Sequence, residues 1–273
     1  MSEQIVDSVE SANIIDGRKD AVALDTHLIN AQLNNVQLNN APLNNTHLKI
    51  WDLPTRVFHW LLVVSFAAAY VTNWLGVSYF TFHLWSGYFV VILLAFRILW
   101  GVVGTHHARF VNFVRHPVES MKYALHLTKG KAKPYPGHNP LGALMVLTLL
   151  LVLLLQAATG LFANDEIFNI GPLYGYVSHE LSLKLTAIHK ELFYWILGAV
   201  VIHIAAVLFY VFVKRENLIK AMITGKKPAQ GFVEAKAIDS SRIWLALVLI
   251  AIVSALLAWL IVTAPAASLD LGY

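Results

Sequence analysis

Cysteine is absent from all 273 residues. Its absence excludes disulfides, cysteine-ligated iron–sulfur clusters and thioether-attached haem, which needs C-x-x-C-H. Any redox group must therefore be held non-covalently, through His, Met or Tyr. Charge is scarce as well. Asp, Glu, Lys and Arg make up 13% of the chain against 58% hydrophobic residues, and the mean hydropathy is +0.61. That balance excludes a water-soluble fold, and a net charge of +4 argues against a nucleic-acid partner. Residues 1–25 are polar, mixed in charge and without an apolar run, so no cleavable signal peptide is expected.

Long apolar runs stand in place of what is missing. Five reach the roughly 20 residues needed to cross a bilayer. They cover about 57–75, 82–103, 141–163, 187–213 and 243–264. Before them, residues 28–48 repeat at a period of five: Leu28, Leu33, Leu38, Leu43 and Leu48, with Asn pairs between. Period five fits neither helix nor strand, and the tract is too short to stack as a solenoid. Residues 1–47 are expected to be a disordered cytoplasmic arm. Residues 48–228 are expected to form an all-α, four-helix transmembrane domain. Residues 229–273 add a linker, a fifth transmembrane helix and a short tail. Within the basic 104–140 connection, PVESMKYALHL is expected to be an interfacial helix with Pro117 at its first position.

Lys and Arg cluster in 104–140, in 214–227 and at Arg56, and avoid 76–81 and 164–182. The positive-inside rule then puts the N-terminus in the cytoplasm and the C-terminus outside. Orientation fixes depth. His59 opens the first span on the cytoplasmic side; His83 and His189 open the second and fourth on the outer side. His203 lies fourteen residues after His189, about 21 Å along a helix and within roughly 40° of the same face. Depth therefore pairs His83 with His189 and His59 with His203. Each pair comes from two helices and could ligate one haem iron from both faces. That leaves no open coordination position and suits electron transfer.

Gly87, one turn after His83, leaves room for a flat ring. Arg97, fourteen residues after His83, falls at the cytoplasmic pair's depth, where a haem propionate is a bidentate partner; snorkelling to the surface is its alternative. His106, His107, His116, His126 and His138 are read as solvated interface residues, and His179 is left open. Gly101 and Gly104 mark the second helix's exit.

The segments KIWDLPTRVFHWLL, HLWSGYFVVILLAFRILWG, THHARF, GHNPLGALMVLTLLLVLLLQAATGLF and AIHKELFYWILGAVVIHIAAVLFYVFVKRENLIKAMITGKK resemble the prokaryotic cytochrome b561 family. That family includes b-type cytochrome subunits of Ni/Fe-hydrogenases and is related to formate dehydrogenase gamma subunits. The resemblance covers about residues 48–228. It implies a four-helix core holding two non-covalent, bis-His-ligated haems b, at the positions matching His59, His83, His189 and His203. It also implies quinone or quinol exchange at one membrane face and a redox partner, a hydrogenase-like subunit or cytochrome c, at the other. The Leu/Asn arm and the fifth span depart from the minimal pattern.

The leading expectation is a di-haem electron conduit in a bacterial inner membrane, passing electrons between quinone and that partner in respiratory electron transport. Its contacts would be lipid, quinone and the partner protein; a homodimer is compatible with this arrangement. Two alternatives stand beside it. One is a quinone-linked oxidoreductase taking electrons from a small reductant such as superoxide at the outer haem, near Lys184 and Lys190. The other is a haem-free membrane anchor or transporter subunit. Colour separates the last from the first two.

Overall fold

A computed structural model of the chain describes residues 47–228 and 237–265. The Leu/Asn arm, apart from its last residues, lies outside the described residues, as does most of the linker before the fifth span.

Among the described residues, five helices are long and apolar enough to cross a membrane. They are α1 (Leu53–Trp74), α2 (Phe80–Val103), α5 (Pro140–Leu161), α6 (His179–Phe212) and α8 (Ile243–Val262). Three short helices lie at one end of the bundle: α3 (Phe110–Phe113), α4 (Pro117–Thr128) and α7 (Leu218–Thr224). That end, with connections 104–139 and 214–228, is the basic end; the opposite end, with 75–79 and 162–178, is the far end. The chain is an all-α, multi-pass membrane protein. Its exposed large apolar side chains, Val64, Trp74, Phe82, Trp195 and Val262 among them, are what a lipid-facing surface requires.

Local signals set the helix starts. Asp52 caps α1, its side chain accepting from Thr55 N at 2.6 Å, and Pro54 follows in the first turn. Asn139 caps α5 before Pro140, accepting from Gly142 N at 2.8 Å. Pro117 opens α4 as the sequence predicts. Ser178 caps α6. The α6 helix starts eight residues before the apolar run does, because HELSLKLT is helical without being hydrophobic. All its Asp, Glu and Lys fall within 180–191, leaving 192–212 as an uncharged run of about 30 Å.

A two-stranded ribbon departs from the all-helical expectation. Residues His47–Lys49 (β1) pair antiparallel with Lys226–Pro228 (β2). Ile50 N and Trp51 N both donate to Gly225 O. Gly225 ends α7 with φ +80, and a Cβ there would lie 2.6 Å from Trp51 O, so the turn requires glycine. The ribbon ties the entry of α1 to the exit of α6, next to the cluster of Ile50, Trp51 and Ala221.

Two helical hairpins form the bundle, α1 with α2 and α5 with α6, joined mainly through α2 and α5. The α8 helix lies outside them, packing on α2 and α1 with Ala246, Val253 and Leu257. The backbone of α6 makes at most marginal contact with α1 or α2. The bundle closes at mid-depth on one apolar cluster, Val90, Leu94, Leu153 and Ile196. Beside this plug Phe193 of α6 stacks on Tyr70 of α1, ring centres 5.3 Å apart.

Candidate functional site

The four histidines of the spans meet in two pairs, one on either side of the apolar plug around Ile196. At the basic end His59 of α1 faces His203 of α6, ring centres 6.5 Å apart. At the far end His83 of α2 faces His189 of α6, ring centres 6.3 Å apart. The structure brings together the same pairs that depth alone suggested. Two imidazoles on one metal, each with a bond of about 2 Å, have ring centres about 6 Å apart. The residues present therefore fit a metal held between two rings at each depth.

The far-end rings have a fixed tautomer. His83 Nδ1–H donates to Ala69 O at 2.8 Å, and His189 Nδ1–H donates to Gln156 O at 2.9 Å. A carbonyl can only accept, so both Nδ1 atoms carry the proton and both Nε2 atoms keep a lone pair for a metal. Each histidine is held by the other helix of its own hairpin, α1 for His83 and α5 for His189. The Gln156 side-chain amide donates to His189 Nε2 at 3.3 Å, while its own Oε1 is buried without a partner among the described residues. A metal at Nε2 would displace that amide. At the basic end His59 Nδ1 is likewise buried without a partner.

Two glycines shape the far-end cavity, which His83, Gly87, Gly160 and His189 line with Asn73, Tyr88 and Lys190. A Cβ on Gly87 would meet nothing within 4 Å, so open space lies beside it, as a flat ligand needs. A Cβ on Gly160 would stand 2.8 Å from His189 Cε1 and 3.0 Å from its Nδ1. Gly160 is thus the surface against which the His189 ring is seated. Of the two far-end lysines, Lys184 pairs with Glu180 at 2.6 Å on the exposed helix face, while Lys190 lines the cavity.

Arg97 is 2% exposed, so it does not snorkel. Its Nη1 donates to Ala108 O at 3.1 Å, and its guanidinium lies 5.1 Å from the centre of the Phe110 ring. Beneath it Asp52 is buried, accepting from Trp100 Nε1 at 3.3 Å and from the Thr105 hydroxyl as well as from Thr55 N. One carboxylate so joins the start of α1, the end of α2 and the turn that follows. Gly104 caps α2, as expected of the exit, and Gly101 receives the Phe110 ring.

Two histidines read as solvated are not. His107 is buried. His138 packs between Trp51 and Phe113, ring centres 4.6 Å from each, with Nδ1 buried and unpartnered among the described residues. Burial, and then the charges of Arg97 and Lys227, push it down to about 3, so it is neutral. Loop histidines take their burial from segments distant in sequence, and no local pattern announces that. Gln156 and Asp52 were equally missed, though both left a signal: a lone amide inside an apolar run, and an Asp before Leu-Pro at a helix start.

The family model described as prokaryotic cytochrome b561 matches residues 50–225. Curated proteins named probable Ni/Fe-hydrogenase B-type cytochrome subunit are similar over most of their length. The one from Azotobacter vinelandii is 27% identical over 219 residues, 66% of this chain and 88% of that protein. The one from Bradyrhizobium diazoefficiens is 26% identical over 210 residues, 65% of this chain and 85% of that protein. The one from Rhodobacter capsulatus is 26% identical over 222 residues, 67% and 82% respectively. No solved structure matches the chain.

Proposed function

Because this chain belongs to the prokaryotic cytochrome b561 family, we propose that it is a di-haem electron conduit of a bacterial inner membrane. It passes electrons between the quinone pool and a redox partner, a hydrogenase-like subunit or a cytochrome c. The N-terminus is cytoplasmic, so the basic end faces the cytoplasm and the far end faces outward, in keeping with the positive-inside rule. His59 with His203 would hold one haem b, and His83 with His189 the other. When bound, each would supply a one-electron couple.

The observation that carries this reading is that the four span histidines meet as two imidazole pairs, ring centres 6.5 and 6.3 Å apart, one on either side of the apolar cluster around Ile196. The chain's own groups do the rest. Ala69 O and Gln156 O orient the far-end imidazoles. The plug of Val90, Leu94, Leu153 and Ile196 keeps water out between the two levels. Gly87 leaves room beside His83. Arg97, buried in the cytoplasmic half, would favour the reduced state of a haem at that level and could pair with its propionate.

A pyridine haemochrome assay on quantified protein tests the reading. Two haems b per chain are expected, with bis-His reduced-minus-oxidised bands. A colourless protein would leave the haem-free anchor as the better account, and one haem per chain would remove one pair from the proposal. The far-end pair has its own steric test. Gly160→Val drives a branched side chain into the His189 ring and breaks its Nδ1–H bond to Gln156 O. Haem content is expected to fall from two toward one, with the component that remains unaltered. Full occupancy in Gly160→Val would show that His189 is not seated on Gly160.

A further inference from the structure

The far end carries a feature beyond its imidazole pair. Connection 162–178 folds as a tight hairpin closed by an antiparallel bridge between Asn164 and Ile170. Asp165 holds its tip: Oδ1 accepts from the backbone N–H of Ile167, Phe168 and Asn169 at 3.0, 3.0 and 2.8 Å, and Oδ2 accepts from the Asn169 side chain. Desolvation acts to raise this carboxyl, but those hydrogen bonds outweigh it and hold it down at about 2, so it is ionised. Glu166 sits at φ +61, a left-handed conformation that costs a non-glycine residue, and its carboxylate meets His179 at 3.2 Å. What this construction presents is Ile167 and Phe168, 73% and 74% exposed.

Lipid does not account for that exposure. Glu166 reaches His179, the first residue of α6, thirteen residues before the uncharged run 192–212 begins. At 1.5 Å per residue the tip stands about 20 Å beyond that run along α6, level with the polar first turn of the helix. Two carboxylates precede the apolar pair, which is unfavourable beside anionic headgroups. Two large apolar side chains held in water by a braced loop mark an interaction site. The tip is also continuous with the far-end cavity, which Asp165 and Asn169 line together with His83 and His189.

We propose that the Ile167–Phe168 tip, with its flanking carboxylates Asp165 and Glu166, is the docking point for an extrinsic redox protein whose contact face is apolar at its centre and basic at its rim. The proposal rests on the electron-conduit reading and specifies where the partner sits: against the haem held by His83 and His189. Apolar burial on the tip supplies affinity, and the acidic flank supplies orientation and rate.

The test uses the haem-loaded full chain in nanodiscs of neutral phospholipid, with a basic soluble cytochrome c as the probe. Ile167→Ser/Phe168→Ser is expected to raise the half-saturating cytochrome concentration for electron exchange about tenfold. Its haem spectrum and its reduction by dithionite should match the wild type. Glu166→Gly, which removes the charge and the strained φ together, should flatten the ionic-strength dependence. A double variant that exchanges electrons like the wild type overturns the docking point. So does a haem-loaded wild type that dithionite reduces but cytochrome c does not engage at any ionic strength. The chain has no cysteine, so Phe168→Cys accepts a single environment-sensitive label. Protection of that label by the cytochrome supports the proposal, whereas quenching by lipid-borne nitroxides assigns the tip to the membrane and overturns it. A protein without haem bands would instead defeat the underlying reading, and the absorption spectrum separates the two failures.

Discussion

Replacing His203 with alanine is expected to abolish one of two haem signals and spare the other, and His59→Ala to abolish the same one. His83→Ala and His189→Ala should each remove the second. The expectation follows from geometry. His203 faces His59 at 6.5 Å, and His189 faces His83 at 6.3 Å. Along α6 the two levels are about 21 Å apart, with the apolar plug around Ile196 between them. No imidazole can serve the other level. Loss of one axial nitrogen leaves a non-covalent haem on a single histidine, so the bound fraction should fall severalfold and the bis-His bands of that component should disappear. Redox titration followed in the α-band resolves the components, and low-temperature spectra identify which is missing. A His59→Ala protein that lost the same component as His83→Ala would overturn the pairing. It would also put the α1–α2 hairpin, rather than α6, at the centre of the site.

The pairing could be read from the sequence because three signals converge on it. Apolar runs give the spans, Lys and Arg give the orientation, and the fourteen-residue offset between His189 and His203 returns both rings to one helix face. None of these depends on how the helices pack. The groups that hold the rings do depend on packing. His83 is oriented by Ala69 O and His189 by Gln156 O. A backbone carbonyl has no residue signature, so any residue at position 69 would present the same acceptor. The eight-residue N-terminal extension of α6 was hidden for a different reason. HELSLKLT is too polar for a hydropathy criterion, and its helix is signalled only by the Ser178 cap. The β1–β2 ribbon joins segments nearly 180 residues apart, and three-residue strands leave no periodic trace. The burial of His107 and His138 arises in the same way, from segments that converge only in the fold.

Asp52→Ala is expected to be the most destabilising single change at the basic end. The Asp52 carboxylate is 1% exposed and accepts from three donors on three segments: Thr55 N at 2.6 Å, Trp100 Nε1 at 3.3 Å and the Thr105 hydroxyl. Its charge also acts on Arg97. Alanine removes the α1 cap, worth about 1 kcal/mol. It also strands two buried donors, Trp100 Nε1–H and the Thr105 hydroxyl, at about 1–3 kcal/mol each. The combined cost is about 3–7 kcal/mol, which for a chain of this size lowers the thermal midpoint by about 10 °C or more. The damage should be directional. Trp100 belongs to the cluster with Phe58, Phe96 and Ala108, and Phe58 immediately precedes His59. Loosening that cluster should release the haem of the His59/His203 pair at lower temperature than its far-end counterpart. Asp52→Asn separates the two contributions. Its amide oxygen can still accept from Thr55 N, so the cap survives, but one oxygen cannot serve all three donors and no charge remains for Arg97. A thermal ramp followed at each haem's own band should therefore place Asp52→Asn between the wild type and Asp52→Ala. If both variants melted with the wild type, the tie among α1, α2 and the 104–109 turn would have to lie elsewhere, in the packing of Trp100 and Phe96 alone.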